Sequence, residues 1–165
     1  MNRGIVVTAP INAEVVNAFI APVVDVIKSC VGLDAELGKV ALTNQIDPPP
    51  FVSATIEMRG NLVGPITWIV SEELARLLAG KMLCVDPVEA LNLATCRDAV
   101  AELANIISGN ATGKLIDAGY EVEILPPHIV DEKSERALTE RTLSVTLSTT
   151  AGKIKVLLGL QIHGR

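Results

Sequence analysis

Two pairs of alternating runs constrain this chain more than any other feature. "FVSATIEMRG" and "NLVGPITWIV" meet at Gly60-Asn61, and "RTLSVTLSTTAGKIKVLLGL" divides around Ala151-Gly152. Period-two alternation of apolar and polar residues, interrupted by a short glycine-bearing turn, is the pattern of an antiparallel β-hairpin. Residues 35–46 read as a further strand, and "GYEVEILPPHIV" as another that Pro126 and Pro127 stop. "DPPPF", residues 47–51, is a stiff connector that cannot lie in a central strand, because proline gives no donor to the ladder. "EKSERALTE" reads as a charged, solvated connector.

The helices are grouped rather than interleaved with the strands. From Asn12, a fitting N-cap, the apolar residues Val15, Val16, Phe19, Ile20, Val23, Val24, Ile27 and Val31 recur at threes and fours. Pro22 inside that run predicts a kink or a break, since proline removes a backbone donor and crowds the preceding turn. "SEELARLLAGKML", with Ser71 as cap, predicts a short helix over the first hairpin. Asp86-Pro87 opens a longer helix over residues 88 to about 113. Gly109 and Gly113 weaken its end, each by ~1 kcal/mol relative to alanine. Helix, strands, two helices, strands is an α+β order: a mostly antiparallel sheet with about three helices packed on one face. A length of 165 residues suits a single domain spanning 1–165.

Hydrophobic residues make up 49% of the chain but aromatics only 2%, so the core must be built from Val, Ile, Leu and Ala. That disfavours a carbohydrate or nucleic-acid binder, which would want exposed rings. A formal net charge of −5 with scattered basic residues also argues against a nucleic-acid partner. No apolar run is long enough to span a membrane, and the first residues lack the core of a signal peptide, which together predict a cytoplasmic protein. Cys30, Cys84 and Cys96 sit in apolar surroundings and read as small buried residues. His128 and His163 lie far apart with no ligand at metal spacing and fit loop or strand-end positions, so no metal site is expected.

The functional question concentrates on "RDAVAELANIISGNATGK", residues 97–114. Asp98, Glu102 and Asn105 are spaced by four residues and then three, which sets them within a band roughly 60° wide on a helix turning about 100° per residue. Leu93, Cys96, Val100, Leu103 and Ile107 form an apolar stripe on the other side, so the polar ridge must point outward. Familiar motifs are excluded. "GNATGKL" has the wrong glycine spacing and no hydroxyl after its lysine for a phosphate-binding loop. The zinc-protease, nucleophile-elbow and dinucleotide patterns are absent. What remains is a carboxylate beside a carboxamide, either an ordinary solvated helix face or a supplement to a partner's active site. An amide accepts from and donates to one water, and so can hold that water in line with a phosphorus atom. Glu102, one turn earlier, can pair with a lysine of the partner.

The signature D/S-x-x-x-E-x-x-N followed at a distance by proline resembles that of the CheC/CheX/flagellar-switch phosphatase family of bacterial chemotaxis, with Asp98, Glu102 and Asn105 matching residue by residue. "INAEVVNAFIAPVVDVI", "GLDAELGKV", "MRGNLVGPITWIVSEELARLLAGKML", "AELANIISGNATGKL" and "ILPPHIV" look like successive CheX segments, so the likeness covers nearly the whole chain. The resemblance implies a CheX/CheC-like fold and hydrolysis of the aspartyl phosphate on a phosphorylated response-regulator receiver domain such as CheY. It implies that Asn105 orients the attacking water, that Glu102 contacts the receiver's lysine, and that Asp98 belongs to the binding surface. Magnesium would come from the receiver, leaving this chain without a cofactor of its own. A homodimer through edge strands is also implied. Glu14-x-x-Asn17 repeats the Glu102-x-x-Asn105 spacing, but Pro10 stands where an Asp would be needed, so a second site and a chance repeat both stay open. The alternative function is a non-catalytic receiver-binding or dimeric assembly domain of the CheC/flagellar-switch fold.

Overall fold

The computed structural model describes residues 8–43, 51–129 and 142–164. In chain order the elements are β1 (Thr8–Pro10), α1 (Ala13–Val31), β2 (Glu36–Thr43), β3 (Phe51–Gly60), β4 (Leu62–Ser71), α2 (Glu72–Leu83), a 3-10 turn (Val88–Ala90), α3 (Leu93–Asp117), β5 (Val122–Ile124), β6 (His128–Ile129), β7 (Thr142–Thr149), β8 (Gly152–Leu158) and β9 (Gln161–His163). Every strand pairing is antiparallel. From one side of the sheet to the other run β3, β4, β8, β7 and β2, with β5 and β6 along the outer edge of β3 and the short β1–β9 ribbon attached at the start of β4. The helices pack on one another and on the sheet, giving the α+β arrangement that the periodicity predicts.

Both predicted hairpins form. Gly60 turns the first with φ +110°, and a Cβ there would run into the carbonyl of Glu121. Asn61 then ties the tip to its surroundings: Oδ1 accepts from the backbone N–H of Glu121 at 2.7 Å, and Nδ2 donates to the carbonyl of Gly164 at 2.9 Å. The helix-facing side of the sheet carries Ile56, Met58, Ile66, Trp68 and Leu147, all fully buried. The core closes because these side chains interlock with Phe19, Ile27, Leu74, Leu78, Ile107 and Leu115 of the helices, with Trp68 and Phe19 adding two large buried rings to an otherwise mainly aliphatic interior.

Several expectations need correction. Pro22 does not break α1, which runs unbroken from its Asn12 cap to Gly32. Its ring is buried on the core face, so packing compensates for the hydrogen bond that the missing N–H forgoes. The helix expected over 88 to about 113 starts later and ends later, at Leu93 and Asp117. Residues 88–90 form only a 3-10 turn, and Asn92 is the true cap, its Oδ1 accepting from Thr95 N–H at 2.8 Å. Of the three cysteines only Cys96 is buried; Cys30 is half-buried and Cys84 exposed. Cys84 caps α2 in a left-handed conformation, φ 56°, which carries its side chain away from the core. The strands β1 and β9 were not predicted. Part of "DPPPF", the end of the strand predicted over 35–46, and "EKSERALTE" lie outside the described residues.

Among the described residues, the Ser108 hydroxyl and the Trp68 indole N–H are buried without a hydrogen-bond partner. A buried hydroxyl that loses water and gains nothing is destabilising, and alanine is also the better helix former. Ser108→Ala is therefore expected to raise the unfolding free energy by about 1 kcal/mol, read as a higher urea midpoint at unchanged slope.

Candidate functional site

The site is built on α3, which packs between α1 and α2 and against β3. Cys96, Val100, Leu103, Ala104, Ile107, Ala111 and Leu115 are buried along its inner side and fix its rotation. The N-terminus is fixed too. Arg76 of α2 donates from one guanidinium nitrogen to the carbonyl of Leu91, beside the Asn92 cap, and from the other to Glu72 at 2.9 Å. Burial pushes the Cys96 thiol up from its ordinary value, with the Arg76 charge acting in the opposite sense, so it stays a neutral packing group beneath the helix.

With the inner side fixed, the ridge can face only outward. Asp98 and Glu102 are exposed and Asn105 is half-buried. None of the three has a hydrogen-bond or ion-pair partner among the described residues. Positions three and four apart on a helix hold their Cβ atoms about 5–6 Å from one another, so the carboxylates and the amide form one continuous surface. An unbroken helix, a rotation fixed by burial and uncommitted polar groups are the features that a contact surface for something outside the chain requires. The sequence places all three residues on one face, and the structure brings all three together there.

Glu14 and Asn17, the second occurrence of the spacing, are both exposed on the first turns of α1. They line an open groove of about 330 Å³ together with Ala18, Ala21 and three residues near the end of α3, Lys114, Leu115 and Ala118. The groove is thus separated from Glu102 and Asn105 by roughly three turns of α3. Among the described residues, no three His, Cys, Asp or Glu side chains converge to hold a metal ion, and no helix is long and apolar enough to cross a membrane.

Two features of the ridge escaped the reading of the sequence. Gly109 and Gly113 do not end α3 but lie within it on the exposed side, and Ile106 is 38% exposed beside Asn105. Gly109 follows Asn105 at helical spacing, a local signal that the helix continues past it, which the low helix propensity of glycine opposes.

Residues 52–156 match the model of a family described as chemotaxis phosphatase CheX. The CheY-P phosphatase CheX of Thermotoga maritima is 28% identical over 136 residues, 82% of this chain and 85% of that protein. The structure of the chemotaxis protein CheX from Vibrio vulnificus superposes with a TM-score of 0.73 at 25% identity, covering 92% of this chain and 99% of that one. The CheX–CheY–BeF3–Mg2+ complex from Borrelia burgdorferi contains a chain of the same fold, with a TM-score of 0.68, 21% identity, and coverage of 93% and 100%.

Proposed function

The chain belongs to the chemotaxis phosphatase CheX family, and from that premise we propose that it hydrolyses the aspartyl phosphate of a phosphorylated CheY-type receiver domain. Asn105 and Glu102 on an outward, rigid ridge, with no partner of their own, are the observation that carries the reading. The similar protein from Thermotoga maritima is a CheY-P phosphatase, and the Borrelia burgdorferi relative occurs in a complex with CheY.

The reaction has a water oxygen attack phosphorus while the bond between phosphorus and the receiver's aspartate oxygen breaks. Inorganic phosphate and a free carboxylate result. The chain supplies geometry. The Asn105 amide accepts from and donates to the attacking water and sets it opposite the leaving carboxylate. Ordering one water in this way contributes on the order of 3 kcal/mol, about a hundredfold in rate. Glu102 takes the receiver's lysine, and Asp98 extends the contact by one turn. Magnesium is the receiver's, and this chain needs no cofactor. The test is decay of radiolabelled phosphate on magnesium-loaded receiver domains from the same genome: faster decay in the presence of this protein on at least one receiver is expected, and no acceleration on any would overturn the reading.

The same family premise supports a homodimer through an edge strand, and β2 is the edge suited to it. Among the described residues β2 pairs only with β7, leaving its outer backbone groups as a template for another strand. A bulge between Leu37 and Val40 shifts the register so that Leu37, Val40 and Leu42 oppose Leu147, Val145 and Leu143 on one face. These three are 54%, 48% and 58% exposed, an unusual concentration of apolar surface on an edge. The double variant Val40→Lys, Leu42→Lys is expected to sediment as a monomer where the wild type is dimeric; a persistent dimer would place the interface elsewhere.

A further inference from the structure

Glycine is a poor residue for a helix interior, so each one in a long helix needs a reason. In α2 the reason is internal: Gly80 is buried, and a Cβ there would collide with Val88. Gly109 and Gly113 of α3 have no such reason. Both are exposed, neither adopts a positive φ, and a Cβ at either would meet nothing within 4 Å. Their position is informative. On a helix turning about 100° per residue, Gly109 falls between Glu102 and Asn105 in projection, and Gly113 lies within about 60° of Asp98. The bare strip is thus the continuation of the polar ridge, flanked by Ile106 and by Ile116, which are 38% and 53% exposed.

Resting on the phosphatase reading above, we propose that Gly109 is a positioning residue for the receiver. The strip formed by Ile106, Gly109, Gly113 and Ile116 is the second half of the receiver's footprint on α3. Three polar side chains cover too little surface to hold a protein partner, since specific interfaces need about 800 Å² on each side. From Asp98 to Ile116 the helix rises roughly 27 Å, comparable with the width of a domain of about 100 residues. Bare backbone at Gly109, one turn beyond Asn105, lets the partner settle low enough for the amide to reach the phosphoryl group. A side chain there would hold the two surfaces apart, and a misplacement of about 1 Å suffices to lose alignment of an attacking group.

Gly109→Ala and Gly109→Leu separate this role from a structural one, because both should stabilise an exposed helix position. The assay is titration of the full chain with magnesium-bound CheY-type receivers carrying beryllofluoride as an unreactive phosphoryl mimic, alongside the urea midpoint of each variant. The expected result is a midpoint equal to or above that of the wild type, with affinity lowered about twofold by alanine and about fivefold by leucine, the larger side chain holding the two surfaces further apart. Unchanged affinity in Gly109→Leu, with the wild type binding, overturns the footprint but not the phosphatase reading. Failure of the wild type to bind any receiver overturns both.

Discussion

Asn105→Ala is expected to lower the turnover of a phosphorylated receiver about a hundredfold while leaving the fold intact. The amide's task is to order one water, and alanine neither accepts nor donates a hydrogen bond, so the attacking water returns to whatever order the receiver alone gives it. The residual rate should equal the receiver's own decay. Stability should not fall: Asn105 is half-buried with no hydrogen-bond partner among the described residues, and alanine has the higher helix propensity by several tenths of a kcal/mol. Single-turnover decay of labelled phosphate, run beside a circular-dichroism melt, separates the two quantities. Asn17→Ala is the matched control. It removes the same group at the same spacing on α1, in the groove shared with Lys114, and it is expected to leave the rate unchanged. A fully active Asn105→Ala protein would remove the amide from the mechanism, and a slowed Asn17→Ala protein would place a second working site on α1.

The ridge was legible in the sequence because its geometry belongs to the helix itself: once residues 93–117 are helical, four-and-three spacing fixes one face whatever else the chain does. The hairpins were legible for a similar reason, since alternation and a turn residue are both local. Errors arose where tertiary packing outweighed local preference. Pro22 and the two glycines disfavour their helices locally, yet burial of Pro22 itself, and of Ala111 and Leu115 next to the glycines, holds those segments helical. Asp86-Pro87 is a local helix-opening signal, and only the tertiary contact of Arg76 with Leu91 and the cap made by Asn92 show that α3 begins later, at Leu93. Strands β1 and β9, three residues each, are too short for any period to register. Cys84 carries no local mark of its exposure, which follows from a left-handed cap that only the end of α2 defines.

Glu102→Ala should separate docking from chemistry on the same helix face. The carboxylate is exposed and unpaired within the described chain, so its charge is available to a lysine of the receiver, and its removal leaves the Asn105 amide in place. Truncating one partner of a charge pair that becomes desolvated on association costs several kcal/mol, whereas a rim pair contributes well under one. A ridge that becomes partly covered falls between these limits, which corresponds to a rise in KM of about tenfold with kcat nearly unchanged. Charge reversal in Glu102→Lys adds repulsion and should weaken association further. Salt supplies an independent check: raising ionic strength screens the pair in the wild type and has less to screen in Glu102→Ala, so the two KM values should converge. Neither substitution should move the thermal melt, because no intramolecular contact is lost. A fall in kcat at constant KM would instead place the carboxylate against the reacting groups and leave docking to Asp98 and the bare strip beyond Asn105.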